Sequence, residues 1–201
     1  ELNIVFRNTH LPNKNYLDES SPVNYIKVRE DHFKEIIINL FQNTEVALNK
    51  YLFNFPYLKE VVYMYSNNIS MHSASSQFWH LDKQGPKTLK IFIALHDVTM
   101  DHGPLNFIDS IQSSYLGRKV GYIKKGEKKR ISDEVFSDHL QSLRIHRQSF
   151  TGKKGSALFL DTDRCFHYGS RKAINPRLYL LIEFGSMLDY RLPKIKPLSI
   201  N

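Results

Sequence analysis

The chain has 201 residues, 41% of them apolar and 24% charged, the make-up of a soluble globular protein long enough for one domain with a real core. Its longest apolar run is too short to cross a bilayer and no N-terminal stretch reads as a signal peptide, so neither a membrane protein nor a secreted one is expected. A single cysteine, Cys165, excludes an internal disulfide and argues for a reducing, cytoplasmic setting.

The formal net charge is +8, and much of it sits in Lys124-Lys125-Gly126-Glu127-Lys128-Lys129-Arg130. That run reads either as a solvated loop or as a basic rim that draws in an anionic substrate or nucleic acid. Charge alone does not choose. The chain opens on Glu1 rather than Met, which leaves room for missing N-terminal elements.

Taken in order, residues 1–30 carry turn signals at Leu11-Pro12-Asn13 and Ser20-Ser21-Pro22 and read as short strands or irregular cover. From Asp31, a candidate N-cap, the residues Phe33, Ile36, Ile37, Leu40, Phe41, Ala47, Leu48, Tyr51 and Leu52 follow the spacing of one helical face. This predicts a helix over about 31–53, ended by Pro56. The period then shortens. Strands are expected at Val61–Tyr65, at the stretch Phe78-Trp79-His80-Leu81-Asp82, at Thr88–Leu95 and at Pro104–Ile108, with a tight turn at Asp101-His102-Gly103-Pro104. Residues 109–150 interrupt the strands with a polar, basic insertion holding a short helix around Asp133 to Leu143; such insertions border sites. Strands resume at Gly155–Leu160, Arg164–Tyr168 and Arg177–Phe184. Cys165, within one of these, reads as a small buried filler rather than a nucleophile. The segment from Arg191 reads as a surface extension. Short strands with intervening turns point to a sandwich or barrel.

The chemistry is concentrated in His80-Leu81-Asp82. In an extended segment, positions i and i+2 share a face, so an imidazole and a carboxylate grip one ion together. His167 is the candidate third ligand. Two histidines and a carboxylate on one face, with positions left open, suit non-haem Fe(II). The motif by itself is unspecific, and an exposed strand pair (His80, Asp82) or a core histidine (His167) is the bland alternative.

Its context is more specific. Gln77-Phe78-Trp79-His80-Leu81-Asp82, Ala94-Leu95-His96-Asp97-Val98-Thr99, Gly103-Pro104-Leu105, Gly155-Ser156-Ala157-Leu158-Phe159, His167-Tyr168-Gly169-Ser170 and Asn175-Pro176-Arg177 follow one another in this order. The succession resembles the phytanoyl-CoA dioxygenase-like branch of the Fe(II)/2-oxoglutarate oxygenases over roughly residues 60 to 185. The resemblance implies a mainly β fold with flanking helices (α+β) around a double-stranded β-helix, a cupin-like jelly roll. It implies one oxygenase domain over 1–201, with 1–59 as N-terminal cover, 60–108 and 151–185 as the core, and 109–150 as a basic insertion or lid. His80, Asp82 and His167 are then the iron ligands and Arg177 the partner of the distal 2-oxoglutarate carboxylate, a role suited to a planar guanidinium. Asn67 and Tyr65 are further candidates for holding the co-substrate, against a turn-forming Asn and a packed Tyr. Arg171 competes with Arg177 but falls in the expected loop. Trp79 should face the core, His96-Asp97 reads as structural, and His72 and His102 receive no role. After Gly103-Pro104-Leu105 the chain departs from the family turn with Ile108-Asp109-Ser110-Ile111, so the substrate mouth is not carried over.

The implied activity is a dioxygenase that hydroxylates a small molecule, anionic or carrier-linked if the basic segment takes part, while 2-oxoglutarate and O2 become succinate and CO2. Fe(II), 2-oxoglutarate and O2 are the implied cofactors. With Asp82 present, halogenation is not expected. Rival readings are a cupin-like metal- or ligand-binding protein without turnover and a nucleic-acid oxygenase gripping phosphates through the Lys/Arg run. The second is disfavoured because no nucleic-acid-binding motif is recognisable. Substrate identity and oligomeric state are not legible in the residues.

Overall fold

The computed structural model describes residues 23–28, 33–53, 56–66, 75–82, 87–122, 130–169 and 171–186. In chain order its strands are β1 (Val23–Lys27), β2 (Pro56–Ser66), β3 (Thr88–Ala94), β4 (Asn106–Phe107), β5 (Gln148–Ser149), β6 (Ala157–Leu160), β7 (His167–Tyr168) and β8 (Arg177–Ser186). The helices are α1 (Lys34–Tyr51), α2 (Ser110–Lys119) and α3 (Asp133–Ser142). Among the described residues the strands form a five-stranded sheet, β1-β2-β8-β3-β6, and a three-stranded sheet, β5-β4-β7. Every pairing is antiparallel. The two sheets, with helices flanking them, make the jelly roll expected from the sequence.

Strand alternation divides the large sheet into two unlike faces. On β8, Leu178, Leu180, Ile182 and Phe184 point one way and join Ile91 and Ile93 of β3 under α1, which contributes Ile37, Leu40 and Leu48. Tyr179 and Leu181 point the other way and meet Val62 and Met64 of β2, Phe92 and Ala94 of β3, and Leu105 and Phe150 from the small-sheet side. The apolar periodicity of α1 is thus spent on covering the outer face of the sheet. Arg177 and Glu183, in phase with Tyr179, share the inner face, and so does Lys90, in phase with Phe92.

A third cluster lies beyond the small sheet. Trp79 is stacked on Phe136 of α3 at 5.1 Å and meets Tyr168 edge-on at 4.6 Å. Its indole N–H donates to Asp133 at 3.0 Å, so burial leaves no polar cost. Ile108, Leu116, Tyr122, Ile131 and Phe166 complete the cluster. Trp79 therefore faces the core, as its neighbours in the motif require.

Several boundaries differ from the sequence reading. Helix α1 starts at Lys34 with Phe33 as N-cap and no side-chain cap; Asp31 lies outside the described residues, and Ala47 is exposed. Strand β2 begins at Pro56 itself, a position proline tolerates because the first strand residue need not donate. The motif Trp79–Asp82 is not a strand but a narrow bridge: Trp79 pairs with Ile131 and His80 with His167. Cys165 is buried as expected, but in the turn before β7 rather than in a strand. Helix α2 was not expected; its signal is Asp109, whose carboxylate accepts from the Gln112 N–H at 2.8 Å as an N-cap. The helix expected near Asp133–Leu143 is α3. The turn signals before residue 23, the run 123–129 and the C-terminal extension lie outside the described residues. Among those described, no helix is long and apolar enough to cross a membrane.

Candidate metal centre

His80 and His167 are brought together by the backbone. Each donates its N–H to the other's carbonyl at 3.1 Å, a bonded antiparallel pair whose side chains lie on the same face. The imidazole centroids stand 4.2 Å apart. Asp82 is held two residues on by its own N–H, which donates to the Thr162 carbonyl at 3.0 Å. Its Oδ1 is 3.4 Å from His80 Nε2 and 3.7 Å from His167 Nε2. One ligand atom from each of the three residues lies within 4.8 Å of the others.

The far sides of both rings are engaged as well. His80 Nδ1 lies 2.7 Å from the Phe78 carbonyl and His167 Nδ1 lies 3.0 Å from the Cys165 carbonyl. A carbonyl only accepts, so each Nδ1 carries the proton and each Nε2 presents a lone pair to the cluster. Burial pushes His167 down to about 4, which keeps its ring neutral and ready to ligate at physiological pH. Burial opposes the charge on Asp82, but His167, His80 and Lys90 together hold its carboxyl well below the ordinary range. With His167 neutral at pH 7, Lys90 is the permanent cation in that group. Its Nζ is 2.7 Å from Asp82 Oδ2. Two imidazoles and an ionised carboxylate, converging with their donor atoms inward, fit a divalent first-row metal such as Fe(II).

Arg177 opens β8 on the same inner face and is 1% exposed. Its Nη1 donates to the Gly103 carbonyl, and its Nη2 to Ser66 Oγ at 3.0 Å. Its guanidinium lies over the Tyr179 ring at 4.6 Å. The Gly103 contact needs glycine. That residue has φ +54, and a Cβ there would stand 2.8 Å from the Arg171 carbonyl and from Ala173 Cβ. The loop before β8 is pinned to the same turn, since Ile174 and Asn175 both donate to the Asp101 carbonyl. Two segments far apart in sequence thereby fix one guanidinium.

The remaining candidates are placed differently. Tyr65 packs in the cluster beneath α1, on the face of β2 opposite to Met64 and Ser66, because successive strand residues alternate. The structure does not bring it to the centre. Asn67 and His72 lie outside the described residues. Arg171 is committed elsewhere: it donates to the Gln77 carbonyl, pairs with Asp133 and lies over the Tyr168 ring at 3.7 Å. His96 Nε2 accepts from the Leu178 N–H at 3.0 Å, and Asp97 accepts from Lys153 and from the Lys154 N–H. Both are structural. His102 caps its own turn by accepting from the Thr99 N–H at 3.1 Å.

Sequence reasoning passed over Lys90, Glu183 and Tyr25. Lys90 and Glu183 are charged residues inside apolar strands, which was the available signal. Tyr25 pairs with Met64 across β1 and β2, so its exposed ring lies on the inner face, and its hydroxyl sits in the field of Lys90, Asp82 and Arg177.

No protein-family model and no curated protein matches this sequence. Solved structures do resemble its fold. The epimerase SnoN in complex with Fe3+, alpha ketoglutarate and nogalamycin RO superposes with a TM-score of 0.54 at 15% identity, over 82% of this chain and 64% of that one. EctD from S. alaskensis with bound Fe superposes with a TM-score of 0.53 at 17% identity, over 92% of this chain and 68% of that one. EctD from S. alaskensis with 2-oxoglutarate and 5-hydroxyectoine gives 0.54 at 15% identity, over 93% of this chain and 67% of that one. The chain spans 64% of the length of SnoN. The similarity establishes a shared jelly-roll fold.

Proposed function

We propose that this chain is an Fe(II)/2-oxoglutarate-dependent oxygenase of the phytanoyl-CoA dioxygenase-like type, hydroxylating a small anionic molecule. The observation that carries the reading is the convergence of His80 Nε2, His167 Nε2 and Asp82 Oδ1, with each Nδ1 tied to a backbone carbonyl. That SnoN and EctD, which share the fold, were crystallised with iron and with the 2-oxo acid supports it.

When bound, iron and 2-oxoglutarate supply the oxidising chemistry, with O2 and 2-oxoglutarate ending as CO2 and succinate. The protein's part is to bind, orient and exclude water. His80, Asp82 and His167 would hold the metal through His80 Nε2, His167 Nε2 and Asp82 Oδ1. Arg177, buried and already oriented by Gly103 and Ser66, would take the distal carboxylate of the co-substrate. Residues 1–201 act as one oxygenase domain in which 109–150, carrying α2 and α3, serves as the lid.

An anionic substrate is favoured by the cavity that Phe78 and Arg130 help to line. The cavity, of about 280 Å³, is lined by Phe78, Val120, Arg130, Ile131, Ser132 and Val135. Its lining is apolar apart from Ser132 and the exposed guanidinium of Arg130. Phe78, in this lining, also supplies the carbonyl that orients His80. An apolar body with one acidic group matches that surface.

The test is succinate release from 2-oxoglutarate by the purified chain under air. Expected is release that requires Fe(II), rises with a panel of small organic acids and falls as salt screens Arg130. An iron-loaded protein that releases no succinate with any of them would instead support a cupin-like binding protein.

A further inference from the structure

The inner face of the large sheet carries two buried charges beside the centre that are not needed as ligands. Lys90 on β3 and Glu183 on β8 are register partners, 8% and 3% exposed. Lys90 Nζ lies 2.7 Å from Asp82 Oδ2 and 3.6 Å from Glu183 Oε2. Glu183 Oε1 in turn accepts from Lys59. The result is a balanced row of two carboxylates and two ammoniums running from the centre towards the sheet edge.

A lysine buried in this position is costly unless it meets anions. Glu183 is already matched by Lys59, so the second anion that justifies Lys90 is Asp82. The contact also divides the two oxygens of Asp82. Oδ1 faces both imidazoles, whereas Oδ2 is held by Lys90. The sheet register keeps Lys90 opposite Glu183, so its ammonium stands between that carboxylate and Asp82.

We propose that Lys90 is a positioning residue of the metal centre: by holding Oδ2 it makes Asp82 a one-oxygen ligand through Oδ1 and keeps coordination positions open. This rests on the metal-centre reading above. Outer partners of this kind set both the orientation of a ligand and the affinity of the site. A role in stability alone would leave the metal indifferent to Lys90.

The experiment is a Co(II) titration of the metal-free chain, followed by visible d–d absorption, for wild type, Lys90→Met and Lys59→Met. Lys90→Met is expected to weaken Co(II) binding about 10- to 100-fold and to shift the d–d bands, because Asp82 is then free to chelate through both oxygens. Lys59→Met, at the outer end of the row, is expected to stay within about threefold of wild type, well short of an outer-partner loss. Lys90→Gln, too short to reach Asp82, carries the same expectation should the methionine variant not fold. Wild-type affinity and an unchanged spectrum in a folded Lys90 variant, even with a lower melting temperature, would overturn the proposal alone. A wild-type chain that takes up no Co(II) would overturn the metal-centre reading together with it.

Discussion

Replacing His167 with alanine should lower Fe(II) affinity by more than about 100-fold, beyond the upper range for losing an outer hydrogen-bond partner of a ligand, and leave the protein folded. The two halves of this expectation have separate causes. The ring supplies one of the three converging donors, and the described residues around it offer no spare imidazole to replace it. The fold, by contrast, uses His167 through its backbone, which pairs with His80 in both directions; alanine keeps those bonds. The stability change should therefore be modest, about 1–3 kcal/mol for the Cys165 carbonyl and the neighbouring polar groups left unmatched. Anaerobic Fe(II) binding by equilibrium dialysis, alongside a thermal melt of the metal-free chain, separates the two. Unchanged iron affinity in a folded His167→Ala protein would remove His167 from the centre.

Changing Arg177 to lysine should cost 2-oxoglutarate affinity about 2 kcal/mol, roughly 30-fold, while Fe(II) binding stays as it was. The guanidinium is oriented by Gly103 and Ser66 and by the Tyr179 ring. A lysine ammonium is a single point charge. It cannot keep both anchors and also meet a carboxylate with two parallel bonds. Arg171 cannot substitute, since it is spent on Gln77, Asp133 and Tyr168. A titration of 2-oxoglutarate against iron-saturated protein without O2 gives the affinity. Equal affinity in the lysine variant would mean that the co-substrate is held elsewhere.

What was legible in the sequence follows from which forces act locally. The cluster of His80, Asp82 and His167 could be anticipated because H-x-D is a two-residue motif and a jelly roll pairs that stretch with a later strand. The alternation of Leu178, Leu180 and Ile182 against Arg177 was legible for the same reason: strand period fixes the face. Tyr65 shows the limit of that logic, since one step of parity puts Ser66 and not Tyr65 beside Arg177. Helix α2 was missed because its apolar face is narrow, with Leu116 buried but Ile111 and Tyr115 exposed; only the Asp109 cap marks it. Lys90 and Glu183 looked like ordinary charges in strand sequences. Their partnership depends on β3 and β8 being neighbours, which no local pattern encodes.

Whether His80, Asp82 and His167 hold iron together with 2-oxoglutarate is read from the absorption of the protein with both in the absence of O2. Wild type is expected to show a metal-to-ligand charge-transfer band, lost in His167→Ala and requiring more 2-oxoglutarate in Arg177→Lys. A wild-type protein with iron bound and no such band at saturating 2-oxoglutarate would contradict that role.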